Sequence, residues 1–200
     1  MTRFSCSLSF LLATVILLLA AHKSWLVLFW LAAILHELGH LLALYLLGGR
    51  VSRFCFRLSG GELQYDGKHL SYGREILLAL AGPCANLMCA WICGWLAMLG
   101  HKELLYQFSG CHLVLAIFNL LPALPLDGGR VLQCFLELKF PMAGERLTLL
   151  VSLCVGAILL LLGFAVLLRG GNPTLFSAGG VILLRSLGKR PLHLPEKLLK

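Results

Sequence analysis

Six stretches of the chain, 4–21, 25–47, 75–99, 104–138, 147–168 and 174–187, are dominated by apolar residues. This constrains the fold more than any other feature, because a bilayer-spanning helix needs about 20 mainly apolar residues. Composition supports the reading: 59% of residues are hydrophobic and 13% charged, and the mean hydropathy is +0.88. A soluble domain carries about a quarter charged residues, and a fold of 200 residues in water has too little interior to hide this much apolar surface. The expected fold class is therefore an all-α polytopic membrane protein with about six transmembrane helices, the last of them short.

Charge fixes the expected topology. With six spans both termini lie on one side, and 14 of the 17 Lys and Arg residues fall on that side, leaving only Lys23, Lys102 and Arg169 opposite. The positive-inside rule assigns the basic side to the cytoplasm. The expectation is a multi-pass cell-membrane protein with both termini cytoplasmic. The net charge of +8 then reflects topology and contact with anionic lipid in the bilayer. No nucleic-acid partner is expected, since the basic residues are dispersed and form no nucleic-acid motif. The first segment has the outline of a secretory signal, with Arg3 before an apolar run, but it leads into a multi-pass chain without a clear small-x-small cleavage site, so a retained helix is expected. The eight cysteines include no CxxC pair and read as reduced, small apolar residues.

No stretch between spans is long enough to form a core of its own. The chain is expected to be a single integral-membrane domain over 1–187 with a basic cytoplasmic tail over 188–200. The longest polar stretch, 48–74, contains GGRVSRFCFRLSGGELQYDG. Its approximate alternation around Val51–Leu58, then Gly60-Gly61 and ELQY, predicts a short β-hairpin at the membrane surface between the second and third spans. A hairpin leaves an edge able to accept an extended peptide; an ordinary basic loop is the alternative.

The second span carries His36-Glu37-Leu38-Gly39-His40 in its interior. Ionisable side chains at membrane depth cost several kcal/mol unless paired or hydrated, so three in one turn call for a function. On a helix, positions i and i+4 share a face about 5–6 Å apart. Two imidazoles so placed can hold a zinc ion, and the glutamate beside the first can act as general base toward water. A polar cluster joining helices is the alternative reading. A hydrolytic zinc usually takes a third protein ligand. Asp127, in NLLPALPLDGGRVL, is the best acidic candidate within the apolar segments. Pro122, Pro125 and Gly128-Gly129 around it break helix, and broken helices at membrane depth occur where they are buried in protein or line a wet cavity. A fourth span starting at Leu104 would carry Asp127 past the cytoplasmic end, whereas His40 lies eight residues before Gly48, about 12 Å inside its helix. A span starting nearer His112 and interrupted at the prolines is expected instead. Asn86, one turn after Gly82-Pro83, and Asn119, three residues before Pro122, suit either substrate contact or helix packing.

HELGH in the second span, AGPCAN in the third and NLLPALPLDGG in the fourth, in that order, resemble the site-2 protease family of intramembrane zinc metalloproteases. The resemblance covers about 31–132. It implies zinc, one ion per chain, held by His36, His40 and Asp127, and a catalytic base at Glu37. Asn86 and Asn119 match the family's motif asparagines, implied to help position substrate or the active site. Where the family's third-span motif often begins with two glycines, the first is here Ala81. The catalytic core would cover about 25–138. The compact form, into which no PDZ or CBS domain fits, is most similar to the bacterial branch around stage IV sporulation protein FB. That likeness implies regulated intramembrane proteolysis of a membrane-tethered protein substrate, a pro-sigma factor in that branch, under control of membrane regulatory proteins. A transporter or metal-binding membrane protein and a catalytically silent scaffold are the rival classes. Metal-dependent flux without cleavage would mark the first, and absence of stoichiometric zinc the second.

Overall fold

The structure is a computed structural model that describes residues 3–6, 24–48, 51–57, 60–65, 71–100 and 102–188. In chain order the elements are β1 (Arg3–Cys6), α1 (Ser24–Leu46), β2 (Val51–Arg57), β3 (Gly60–Tyr65), α2 (Tyr72–Gly100), α3 (Glu103–Asn119), α4 (Asp127–Lys139), α5 (Gly144–Leu168) and α6 (Thr174–Gly188). The chain divides into two compact units, Met1–Asn119 and Leu120–Lys200.

Local sequence explains the boundaries. The run from Ser24 to Leu46 contains no proline, and α1 stops where Gly48 takes a left-handed φ of 72°, a conformation open to glycine and used to end helices. Helix α2 follows Ser71, whose carbonyl accepts from the N–H groups of Arg74 and Glu75, and Glu75 lies in its first turn, favourably placed against the helix dipole. Helix α3 ends at Asn119, before Pro122 and Pro125, because a residue preceding proline is driven out of the helical region. Residues 120–126 form tight turns, with Ala123 N–H donating to Leu121 O and Leu126 N–H to Ala123 O. Helix α5 ends at a second left-handed glycine, Gly170, with φ 75°.

In the first unit, α1, α2 and α3 pack against one another and the strands form one sheet in the order β1-β2-β3. Strands β2 and β3 are antiparallel, with Phe54 opposite Leu63 and an irregularity between Val51 and Arg53. Strand β1 pairs parallel with β2, Phe4 opposite Phe54. In the second unit α5 packs against both α4 and α6.

Three helices, over Trp25–Leu46, Tyr72–Gly100 and Gly144–Leu168, are long and apolar enough to cross a membrane, and Thr174–Gly188 is a shorter apolar helix. Their outward faces carry exposed Leu42, Trp91, Met98, Leu161 and Leu184, as lipid-facing surfaces do. Two sequence expectations need correction. Phe4–Cys6, the start of the expected first span, belong to β1; the rest of that span lies outside the described residues, as does the tail over 189–200. The fourth apolar region is two helices, and the first begins at Glu103 rather than near His112. A glutamate in the first turn suits a helix N-terminus, and no proline lies between Glu103 and His112.

Candidate metal centre

The interior of the first unit is polar at one level. Among its buried residues are His36, His40, Asn86 and His112, set among small ones such as Ala32, Ala79, Gly82 and Ala116. His36 and His40 project from one face of α1. Their Nε2 atoms lie 3.2 Å apart and their rings meet edge-on at 86° with centroids 4.8 Å apart. Two nitrogens bound at 2.0–2.1 Å to a tetrahedral zinc would be separated by about 3.3 Å. The pair therefore fits such an ion without rebuilding. Glu37, between them in sequence, is half-buried.

Helix α2 shapes the floor beneath the pair. A Cβ at Gly82 would sit 2.7 Å from both His36 Cε1 and His40 Cε1, and would also collide with His40 Nε2. Only glycine leaves room there. The next residue, Pro83, supplies no N–H to the helix. His40 Nδ1 donates to the carbonyl of Leu78 at 2.8 Å, which puts its proton on Nδ1 and leaves Nε2 its lone pair. A metal-ligating histidine needs such an outer partner. Asn86, one turn beyond Gly82 and fully buried, reaches His36 Nδ1 at 3.1 Å through Nδ2 and His112 Nδ1 at 2.9 Å through Oδ1. Gly39, inside HELGH, allows α1 and α2 to approach: a Cβ there would lie 2.8 Å from Ala85 Cβ and 2.9 Å from Ala81 O.

Asn119 closes α3, its Nδ2 donating back to Leu115 O at 3.1 Å. Asp127 opens α4 in the second unit and is buried. Its setting is built by the turns before it. A Cβ at Gly128 would meet Leu121 O at 2.6 Å, and one at Gly129 would meet Ala123 O at 2.6 Å, so the two glycines let 120–126 fold over the first turn of α4. The turn is clamped from α5: Leu124 N–H donates to Ser152 Oγ at 2.9 Å, Ser152 Oγ to Thr148 O at 2.7 Å, and Thr148 Oγ1 to Gly144 O at 2.8 Å.

The structure thus joins His36, His40 and Asn86 in one cluster, and places Asp127 in the other unit. Sequence reading missed His112 and Ser152. The signal for His112 was available, an imidazole in the apolar run CHLVLAIF, where an ionisable group is unexpected without a role. Ser152 in a leucine-rich helix gave none.

A fold of membrane-length apolar helices, one of which presents HExxH, defines a class, the membrane metallopeptidases. Comparison with known proteins makes the assignment specific. The profile of M50B-like peptidases matches residues 9–125 and that of peptidase family M50 residues 94–163. The chain belongs to the M50 family, that of the site-2 proteases. It is 30% identical to a zinc metalloprotease of Methanocaldococcus jannaschii over 58% of its own length and 36% of that protein's. It is also 30% identical to stage IV sporulation protein FB of Bacillus subtilis, over 68% of this chain and 49% of that one. The chain therefore spans about a third to a half of the length of these relatives. The fold is that of a solved site-2 protease from M. jannaschii: TM-score 0.71 at 21% identity, covering 96% of this chain and 93% of the other.

Proposed function

We propose that the protein is a zinc-dependent intramembrane endopeptidase cleaving membrane-embedded or membrane-associated proteins within or near the bilayer. The observation that carries the reading is the facing pair of His36 and His40 nitrogens, 3.2 Å apart on a membrane-length helix, with Glu37 between them. Relatives that bear the name zinc metalloprotease support it. His36, His40 and Asp127 hold one zinc ion per chain. Zinc supplies Lewis acidity, which acidifies water and polarises a scissile carbonyl. Glu37 accepts the proton of the attacking water and returns it to the leaving amine. His40 is held in the ligating tautomer by Leu78 O. Asn86 and Asn119 serve to position substrate or the active site. A helical substrate has to unwind first, since its amides are otherwise hydrogen-bonded and shielded. The outer edge of β3, at the membrane surface, would take the unwound segment as an added strand.

The domain is 1–187 with six spans, both termini cytoplasmic and the active site toward the cytoplasmic side. The substrate class is a membrane-tethered protein. The likeness to a stage IV sporulation protein favours a pro-sigma factor held in check by membrane regulators. Co-expression with membrane-tethered transcription factors from the same genome tests the reading. Cleavage by wild type and none by Glu37→Gln is expected, with about one zinc per chain in both; Asp127→Ala should lose the metal. Cleavage surviving Glu37→Gln would overturn the mechanism.

A further inference from the structure

The amide of Asn86 bridges two imidazoles from different helices, His36 on α1 and His112 on α3, and all three side chains are buried. A neutral imidazole has one donor and one acceptor, and a carboxamide has both at fixed ends, so the protons along this row are coupled. In one consistent assignment His112 Nδ1–H donates to Asn86 Oδ1, Asn86 Nδ2–H donates to His36 Nδ1, and His36 Nε2–H donates to His40 Nε2. Each contact along the row is then a hydrogen bond, but the proton of His36 occupies Nε2, the nitrogen that faces its partner histidine. That ring cannot ligate a metal there.

A half-turn of the carboxamide exchanges its oxygen and nitrogen, which fill nearly the same space. In that orientation His36 Nδ1–H donates to Asn86 Oδ1 and its Nε2 lone pair is released. The amide N–H of Asn86 then donates to His112 Nδ1, so the His112 proton moves to Nε2. His40 needs no change, because its Nδ1 proton is already fixed on Leu78 O. At the far end, His112 Nε2 has no hydrogen-bond partner among the described residues, and the ring packs against Phe108 at 4.5 Å. Nothing described there favours one tautomer over the other. The row therefore has two states: the first keeps the hydrogen bond from His36 to His40, the second gives it up and leaves the two Nε2 lone pairs facing each other, and only the second lets His36 bind metal.

We infer that Asn86 and His112 form a relay that sets the tautomer of His36, with His112 a positioning residue acting through Asn86. This rests on the reading of His36 as a zinc ligand. It also assigns the motif asparagine to the metal rather than to the substrate, since both ends of its amide are engaged within the protein.

The test is zinc affinity of the full chain in detergent, measured by competition with a chelator, with 15N-labelled histidine spectra of the zinc-loaded protein. Loss of an outer partner of a ligating histidine typically costs 10–100-fold in metal affinity, and that is expected for Asn86→Leu and His112→Leu. Asn86→Asp should bind close to wild type, since a carboxylate also accepts from His36 Nδ1–H. His112→Asn should do the same, its side-chain oxygen replacing Nδ1 as acceptor. Spectra should place the proton on Nδ1 of His36 and on Nε2 of His112. Folded Leu variants that bind zinc like wild type would overturn the relay, as would an Asn86→Asp variant as weak as Asn86→Leu or a loaded His112 protonated at Nδ1. If the Leu variants fail to fold, the two conservative variants and the spectra decide. His36→Ala separates the two readings: wild-type zinc binding in that variant would mean that His36 is not a ligand at all.

Discussion

At the scale of the residue, the metal centre depends as much on what is missing as on what ligates. Gly82 sits under both imidazoles, and a single methyl there has no space: 2.7 Å to two ring carbons is closer than Cβ atoms come to anything. The rings can escape only by leaving the geometry in which their Nε2 atoms face each other. Gly82→Ala should therefore cut zinc content severely while leaving the apolar exterior of the helices intact. Metal analysis of the purified variant, beside its thermal unfolding, checks this; a Gly82→Ala protein with full zinc would show that the floor is soft. The sequence disclosed HELGH and AGPCAN as motifs because polar and helix-breaking residues stand out in oil. It did not disclose that Gly82 and Asn86, one turn apart, both meet His36, the first beneath its ring and the second at its Nδ1. Nor did it single out His112, because the partner of a buried amide is set by how helices pack, and packing is not written in the periodicity of a helix that is apolar all round.

At the scale of the element, the segment between α3 and α4 shows how a broken helix is stabilised by a neighbouring one. Residues 120–126 have no regular ladder, yet Leu124 N–H is buried and needs an acceptor. Ser152 supplies it, and its hydroxyl in turn donates to Thr148 O. Ser152→Ala removes that acceptor, and an orphaned buried donor costs about 1–3 kcal/mol. The expected result is a lower unfolding temperature in detergent and reduced cleavage, because the turn that leads into Asp127 loosens. Ser152→Thr, which keeps the hydroxyl, should recover part of both. Unchanged melting of Ser152→Ala would remove the clamp from the account. The break itself was legible, since Pro122, Pro125 and Gly128-Gly129 announce it. The start of α3 was not: a long apolar run carries no mark of where its helix begins, and Glu103 proved a stronger signal than the expected depth of Asp127. Strand β1 was illegible for the same reason, as RFSC opens a stretch that reads as a span.

At the scale of the whole molecule, the distribution of polarity is reversed from that of a soluble enzyme. Among the described residues many large apolar side chains, Leu, Trp, Met and Phe, are exposed, while His36, His40, His112, Asn86 and Asp127 are buried. Such a chain has little electrostatic freedom outside its loops, so loop charge has to set its orientation. That gives a prediction independent of the active site. A fluorescent protein fused after Lys200 should fold and fluoresce in the cytoplasm, while alkaline phosphatase inserted at Lys102 should be active on the opposite side. The proposed topology puts the basic stretch of sequence after α1, from Arg50 on, in the cytoplasm, and a site near that end of α1 within reach from there. Zinc should then be stripped from sealed inverted vesicles by a membrane-impermeant chelator, and retained in right-side-out spheroplasts. The opposite pattern of reporters and chelation would invert the topology, and with it the side from which a substrate has to be presented.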